Sequence, residues 1–238
     1  HRQGDQTRVV AIDWGVWADT GMAAEAMAAR QGGTAPSERQ SCAQPLLDEA
    51  GFDVFANPIF ASQLDAKQSW LLNEHRTKGG TALVPGTGYI EWIAEALAAQ
   101  DLQAPFEIRD LTFLRPLVIA EPTPRAVVLR LQAQDAGYDF ATHSALPAGG
   151  YALNAEAKIT LLPDSKQPPS LDLAAIQARC PQVAHATADR PLHSPQEAHL
   201  DFGPRWQVLQ QTAFGPAEAP TEGLAHLRLP PAAQDDNC

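Results

Sequence analysis

Alternation is plainest over residues 151–162, where Tyr151, Leu153, Ala155, Ala157, Ile159 and Leu161 interleave with Ala152, Asn154, Glu156, Lys158 and Thr160. A two-residue period puts one set on each side of a strand, so this segment predicts a strand with one buried face. Apolar runs broken by Gly, Pro or charged residues predict further strands near 58–64, 69–74, 106–119, 125–134 and 138–144. Between the early and late strands the period changes. Over 88–99, Ile90, Ile93 and Leu97 share one helical face, Trp92, Ala94 and Ala96 widen it, and only Glu91 and Glu95 mark a wet side. A helix apolar round most of its circumference needs a sheet wrapped about it. The order strand, helix, strands therefore predicts an α+β class and a hot-dog arrangement, a curved antiparallel sheet embracing one central helix.

Both flanks of this unit read differently. Residues 8–17 open with a β-branched run that predicts a single buried strand, closed by a turn at Gly15, and its sheet partners are not in the sequence that follows. An Ala-rich stretch (22–30) and Gln31-Gly32-Gly33-Thr34-Ala35-Pro36-Ser37 come next, a flexible linker by composition. The Pro-rich run 163–170 predicts the exit from the central unit, 171–179 a short helix, 201–209 the start of a new ordered element and 223–229 a strand.

Composition narrows the function. With 45% hydrophobic and 19% charged residues the chain has the balance of a globular protein, and no apolar run approaches the roughly 20 residues of a spanning helix. A membrane protein is not expected. The net charge of -11 comes with only 17 Lys plus Arg and no basic stripe, so nucleic acid is not an expected partner. Cys42, Cys180 and Cys238 are odd in number and widely spaced, which predicts neither a disulfide framework nor a metal site and fits a reducing cytoplasm. The chain opens on His1 without a charged and apolar leader, so the expectation is a piece of a longer cytoplasmic protein.

The densest chemical signal runs from Trp70 through His75, Gly79-Gly80 and Pro85-Gly86-Thr87 to Tyr89. A lone histidine is ordinarily a surface or satisfied core residue. Here a double-glycine loop leads to Pro-Gly at a helix entrance, where unpaired backbone N–H groups and the positive end of the helix dipole suit a carbonyl gaining negative charge. A base beside such a site is equipped to abstract a proton.

This stretch resembles the HxxxGxxxxPG region of polyketide synthase dehydratases, with Gly79 at the family's interval from His75 and Pro85 one residue later than it. Residues 12–17 with Gly21-Met22 are similar to the last strand and loop of polyketide ketoreductases, and Phe202-Gly203-Pro204-Arg205-Trp206 resembles the YGPxF motif that opens a second hot dog, with Phe202 in place of Tyr. The resemblance implies a ketoreductase remnant (1–24), a linker (25–43), a first hot dog (44–165), a connecting linker (166–196) and the start of a truncated second hot dog (197–238). It implies that His75 is the catalytic base and that Gly79, Gly80, Val84, Pro85, Gly86, Thr87, Tyr89, Phe202, Gly203 and Pro204 bind substrate. The implied reaction removes water from a 3-hydroxyacyl thioester carried on the phosphopantetheine of an acyl carrier protein. It needs no cofactor of its own and no metal, and NADP is not expected. Acyl carrier protein and other synthase domains are the implied partners, with a homodimer in the intact synthase.

The family's second residue is an Asp with Gln or His four residues later, downstream of the FGP-type motif. Asp139 has such a partner, His143, but it lies in the first unit, so it reads as a decoy and the catalytic Asp is expected beyond Cys238, leaving this fragment inactive. Asp201 precedes the motif and reads as a helix N-cap or loop residue. Arg76 and Lys78 are candidates to receive the arm's phosphate, with plain solubility favoured over that role. Two alternatives stand beside the enzyme: a noncatalytic hot-dog module for acyl binding or dimerisation, and a thioesterase using Glu91 or Glu95, which are better explained as the helix's polar stripe.

Overall fold

The structure, a computed structural model, describes residues 39–163, 170–187, 189–216 and 222–229. The ketoreductase-like segment 1–24 and most of the linker after it lie outside these residues.

Seven strands form the main sheet: β1 (Gln40–Ser41), β2 (Glu49–Phe52), β3 (Pro58–Leu64), β6 (Phe106–Phe113), β8 (Arg125–Gln134), β9 (Gly137–Ala145) and β10 (Tyr151–Leu161). They lie in the order β1-β2-β3-β8-β9-β10-β6, each neighbouring pair antiparallel. Helix α2 (Gly86–Ala98) interrupts the sequence between β3 and β6 and packs on this sheet. Tyr89, Trp92, Ile93, Ala96 and Leu97 from the helix share one core with Phe60, Leu129, Leu131, Phe140, Ala157 and Ile159 from the strands. This is the hot-dog arrangement. It exists because the helix carries enough apolar circumference to be enclosed, and because alternate residues of β8 (Val127, Leu129 and Leu131) all reach it.

Several expectations are corrected by the packing. The run 69–74, read as a strand, contains the one-turn helix α1 (Trp70–Asn73), because the Asn73 and Glu74 N–H groups reach back to the Ser69 and Trp70 carbonyls at 2.9 Å each. A short apolar run has no period that separates a turn of helix from a strand. The stretch 106–119 is two strands in different sheets, β6 and β7 (Val118–Ile119), parted at Arg115-Pro116, where proline supplies no N–H for a ladder. The helix starts two residues before the predicted 88, with Pro85 as its N-cap. Ile90 is 44% exposed, and Tyr89 takes its place on the buried face. In β10 the alternation breaks at Asn154, an extra residue in the pairing with β9. It turns fully inward, its carbonyl accepting from Leu114 and Arg115 N–H and its amide donating to Arg115 O.

Glu95 is the largest correction. It does not mark a wet side: it is 5% exposed and accepts a hydrogen bond from Leu46 N–H at 2.9 Å. Burial, helped by the nearby Glu91 charge and opposed by that hydrogen bond, pushes its carboxyl up from 4.5 to about 7. The folded protein therefore holds a proton there that the unfolded chain gives up nearer 4.5. Stability from that proton is complete below the unfolded value and is lost as pH rises through about 7, at most about 3 kcal/mol in all. Glu95→Gln is accordingly expected to melt several degrees above the wild type at pH above 8 and close to it at pH 5, which scanning calorimetry at the two pH values checks.

The remaining elements are smaller. β4 (His75–Thr77), β5 (Ala82–Leu83), β7 and β12 (Leu200–Phe202) form a four-stranded sheet in the order β12-β4-β5-β7. After helix α3 (Leu173–Arg179), capped by the Asp172 side chain, β11 (Gln182–His185), β13 (Leu209–Phe214) and β14 (Gly223–Leu227) form a third sheet. β1, α3 and β11 thus occupy parts of the stretches read as linkers.

Candidate active site

The position of His75 is set by three consecutive local structures. The single turn of α1 ends at Glu74, β4 begins at His75, and β4 folds back on β5 through a tight hairpin. Thr77 N–H donates to Thr81 O at 2.9 Å and Gly80 N–H to Thr77 O at 2.8 Å, and Gly80 has φ +80°, a conformation that glycine adopts without strain. β5 then runs straight into Pro85 and the first turn of α2. The hairpin thereby sets the histidine beside the helix entrance.

Across the hairpin, His75 Nδ1 lies 2.7 Å from Leu83 O. A carbonyl oxygen only accepts, so Nδ1 carries the hydrogen, and in the neutral ring Nε2 is left with its lone pair. The ring is 6% exposed and is flanked by Phe202 and Trp206, with ring centres 5.4 and 5.3 Å away. Phe202 stands directly opposite His75 in the β12–β4 pairing.

His75 opens on a cleft of about 1020 Å³ whose lining includes Leu83, Val84, Pro85, Gly86 and Thr87 on one side and Phe202, Trp206, Val208 and Leu209 on the other. The first N–H groups of a helix have no partner within it, and at Gly86 and Thr87 they carry the positive end of the dipole of α2. Val84 N–H is already donated to Leu117 O and Gly88 N–H to Pro85 O. The cleft therefore joins a base of fixed tautomer to an amide-rich, apolar-walled mouth, which suits a substrate that is deprotonated next to a carbonyl.

Of the residues singled out from sequence, His75, Val84, Pro85, Gly86, Thr87 and Phe202 come together in this cleft. Gly79 and Gly80 are in the hairpin turn outside it. Tyr89 is buried under the helix against Trp92 and Phe113, and burial pushes its hydroxyl up to about 12. Gly203 and Pro204 sit behind the cleft wall. The Gly203 N–H donates to Glu74 O at 2.9 Å, and a Cβ there would come within 2.3 Å of Glu74 Cγ.

The charged candidates are engaged elsewhere. Arg76 is bound to Asn73, Gly80 O and Glu121, and Lys78 pairs with Asp201 at 2.6 Å. Asp201 is a strand residue of β12 and caps no helix, because pairing with β4 carries the chain past it in extended form. Asp139 and His143 line a separate hollow of about 460 Å³ on the main sheet, and burial together with Arg130 lowers His143 to about 4. Glu91 is exposed, and neither it nor Glu95 lines the cleft.

Sequence reasoning did not identify Leu83, Trp206, Leu192 or Glu197 as parts of the site. Glu197 is the acidic residue that lines the cleft, and its carboxyl is held below the usual range by His193 at 2.6 Å and by Ser194 N–H. The signal that could have found it was the Ser194-x-x-Glu197 capping box, which fixes the connecting segment in place. Among the described residues, no group of three or more His, Cys, Asp or Glu is assembled to hold a metal ion.

Fold and site together define a hot-dog domain with a buried histidine at the entrance of its central helix. Residues 44–145 match the family model described as "Polyketide synthase dehydratase domain". Among solved structures, the chain is similar to the dehydratase domain from the CurF module of curacin polyketide synthase, at 26% identity and TM-score 0.66, covering 80% of this chain and 67% of that one. The CurK dehydratase domain of the same synthase matches at 25% identity and TM-score 0.66, covering 79% and 66%. A trans-AT polyketide synthase dehydratase domain from Brevibacillus brevis, 21% identical with TM-score 0.66 and covering 82% and 67%, shares the fold. No curated protein matches. Residues 44–145 are thus similar to polyketide synthase dehydratase domains, and the chain spans about two thirds of the length of these structures.

Proposed function

We propose that His75 is the general base of a dehydratase that removes water from a 3-hydroxyacyl thioester presented on the phosphopantetheine arm of an acyl carrier protein. The observation that supports this most is the Nδ1–H bond to Leu83 O, which leaves Nε2 as the proton acceptor beside the entrance of α2. Nε2 takes the α proton, and the thioester oxygen is held by the Gly86 and Thr87 N–H groups. The Cα–H electron pair becomes the new double bond as the C3–oxygen bond breaks, and the hydroxyl leaves with a proton as water. No redox change occurs, so no nicotinamide enters the scheme.

The leaving hydroxyl needs an acid. Glu197 is a poor source because its contacts favour the ionised form. The acid is therefore assigned to a carboxylate outside the described residues, and this chain alone is expected not to turn over. Variants of the CurK dehydratase with a histidine changed to phenylalanine and with an aspartate changed to asparagine are each described as inactive, which supports a two-residue scheme. The other synthase domains, a homodimeric synthase and a cytoplasmic location complete the proposal. No helix among the described residues is long and apolar enough to cross a membrane.

Its test is a dehydratase of full family length carrying this sequence, incubated with a 3-hydroxyacyl pantetheine thioester. Loss of one water from the substrate, read by mass spectrometry, is the expected result. Thioester hydrolysis instead of water loss overturns the proposal.

A further inference from the structure

We propose that Glu74 is a positioning residue for His75: through Gly203 and Arg205 it clasps the 202–206 segment so that Phe202 and Trp206 are pressed on the imidazole. The clasp has three parts. Glu74 O accepts from Gly203 N–H at 2.9 Å, Glu74 Oε2 accepts from Arg205 N–H at 2.7 Å, and Glu74 Oε1 accepts from Arg205 Nη1 at 3.2 Å. The carboxylate is 14% exposed, and the space against it admits no Cβ at position 203. Arg205 also lies 5.4 Å over the Trp70 ring, so both ends of α1 hold the same segment.

The clasp acts by leverage. Glu74 is covalently next to His75, and its two partners bracket Pro204 between the two rings that contact the imidazole, Phe202 and Trp206. These rings restrain the ring plane while Leu83 O fixes the tautomer. Hydrogen bonds to a charged group are stronger than neutral ones, so a carboxylate suits this position. Without the carboxylate, the segment keeps the Gly203 N–H bond to Glu74 O, the Arg205 and Trp206 contacts with Trp70 and the short β12 pairing, and loses both bonds to Arg205. The claim about turnover rests on the reading of His75 as the base; the claim about the clasp does not.

The test labels this chain with diethyl pyrocarbonate and follows carbethoxylation of each histidine by mass spectrometry. Glu74→Ala is expected to raise the rate at His75 by at least about fivefold, the effect on a local opening of losing a charge-assisted hydrogen bond. His143, equally buried at 6% exposed on the separate hollow, reports global loosening and is expected to keep its rate. Glu74→Gln, whose amide oxygen still accepts from Arg205 N–H but which loses the charge and the bond from Nη1, is expected to fall between the wild type and Glu74→Ala. Gly203→Ala is expected to repeat the Ala result by forcing the clasp apart. An unchanged His75 rate in Glu74→Ala and Gly203→Ala, or equal rises at His75 and His143, overturns the proposal. In a full-length dehydratase, Glu74→Ala is expected to lower kcat and leave KM unchanged, and a change in KM alone contradicts it. If His75→Ala itself leaves dehydration intact, the catalytic reading fails while the labelling result still decides the clasp.

Discussion

His75→Ala in a full-length dehydratase is expected to lower turnover by about 10²- to 10⁴-fold, the contribution of a positioned general base. The loss belongs in kcat, because in the proposed scheme the thioester is held by the Gly86 and Thr87 amides and the apolar walls of the cleft, which the substitution leaves untouched. Glu197 cannot replace the base efficiently, since the contacts that keep it ionised also occupy its oxygens. One side effect is predictable. Removing the ring leaves Leu83 O without its side-chain donor, at about 1–3 kcal/mol if the carbonyl stays dry. Steady-state kinetics must therefore be paired with a melting curve, and a folded variant that turns over within tenfold of wild type removes His75 from the role.

The second large effect is structural. Trp92→Ala is expected to destabilise the domain by about 3–5 kcal/mol, the range for emptying a buried large aromatic site. Trp92 is 2% exposed at the middle of α2, stands edge-on to Tyr89 at 5.3 Å and donates from Nε1 to Leu46 O at 3.3 Å. That carbonyl keeps a second donor, Ser62 Oγ at 2.6 Å, so the loss comes from the cavity rather than from an orphaned acceptor. The midpoint of urea unfolding measures it. A change below about 1 kcal/mol would mean that the helix is not enclosed as described.

What could be read from the sequence divides along the range of the interactions involved. Strands β3 and β8 fall where their apolar runs lie, and α2 was visible in its period and in Pro85-Gly86, because these signals are local. Glu95 was misjudged because the group that buries and bonds it, Leu46, is 49 residues away. Asp201 was misplaced for the same reason: its strand pairs with β4, and its partner Lys78 is 123 residues distant. The Asn154 bulge depends on the backbone of Leu114 and Arg115, which no period in β10 reveals.

The site was legible to the same extent. His75 and the helix entrance lie within one continuous stretch and could be joined by inspection. The role of Leu83 required the hairpin register, and the cleft's far wall required the fold. Phe202, which lacks the hydroxyl of the family's Tyr, packs its ring on His75 and serves as wall. The alternative of a noncatalytic module is not favoured, and the thioesterase reading loses its candidates, since Glu91 is exposed and Glu95 is bonded inside the core.

The most direct measurement uses a 3-alkynoyl pantetheine thioester with this chain. A base facing the α carbon removes that proton, and its return at Cγ gives an allenyl thioester whose Cβ is then attacked by the same nitrogen. The account predicts one covalent adduct on His75 Nε2, found by peptide mass spectrometry and absent with the saturated acyl thioester. An unmodified His75, or an adduct carried by Glu197 instead, would contradict it.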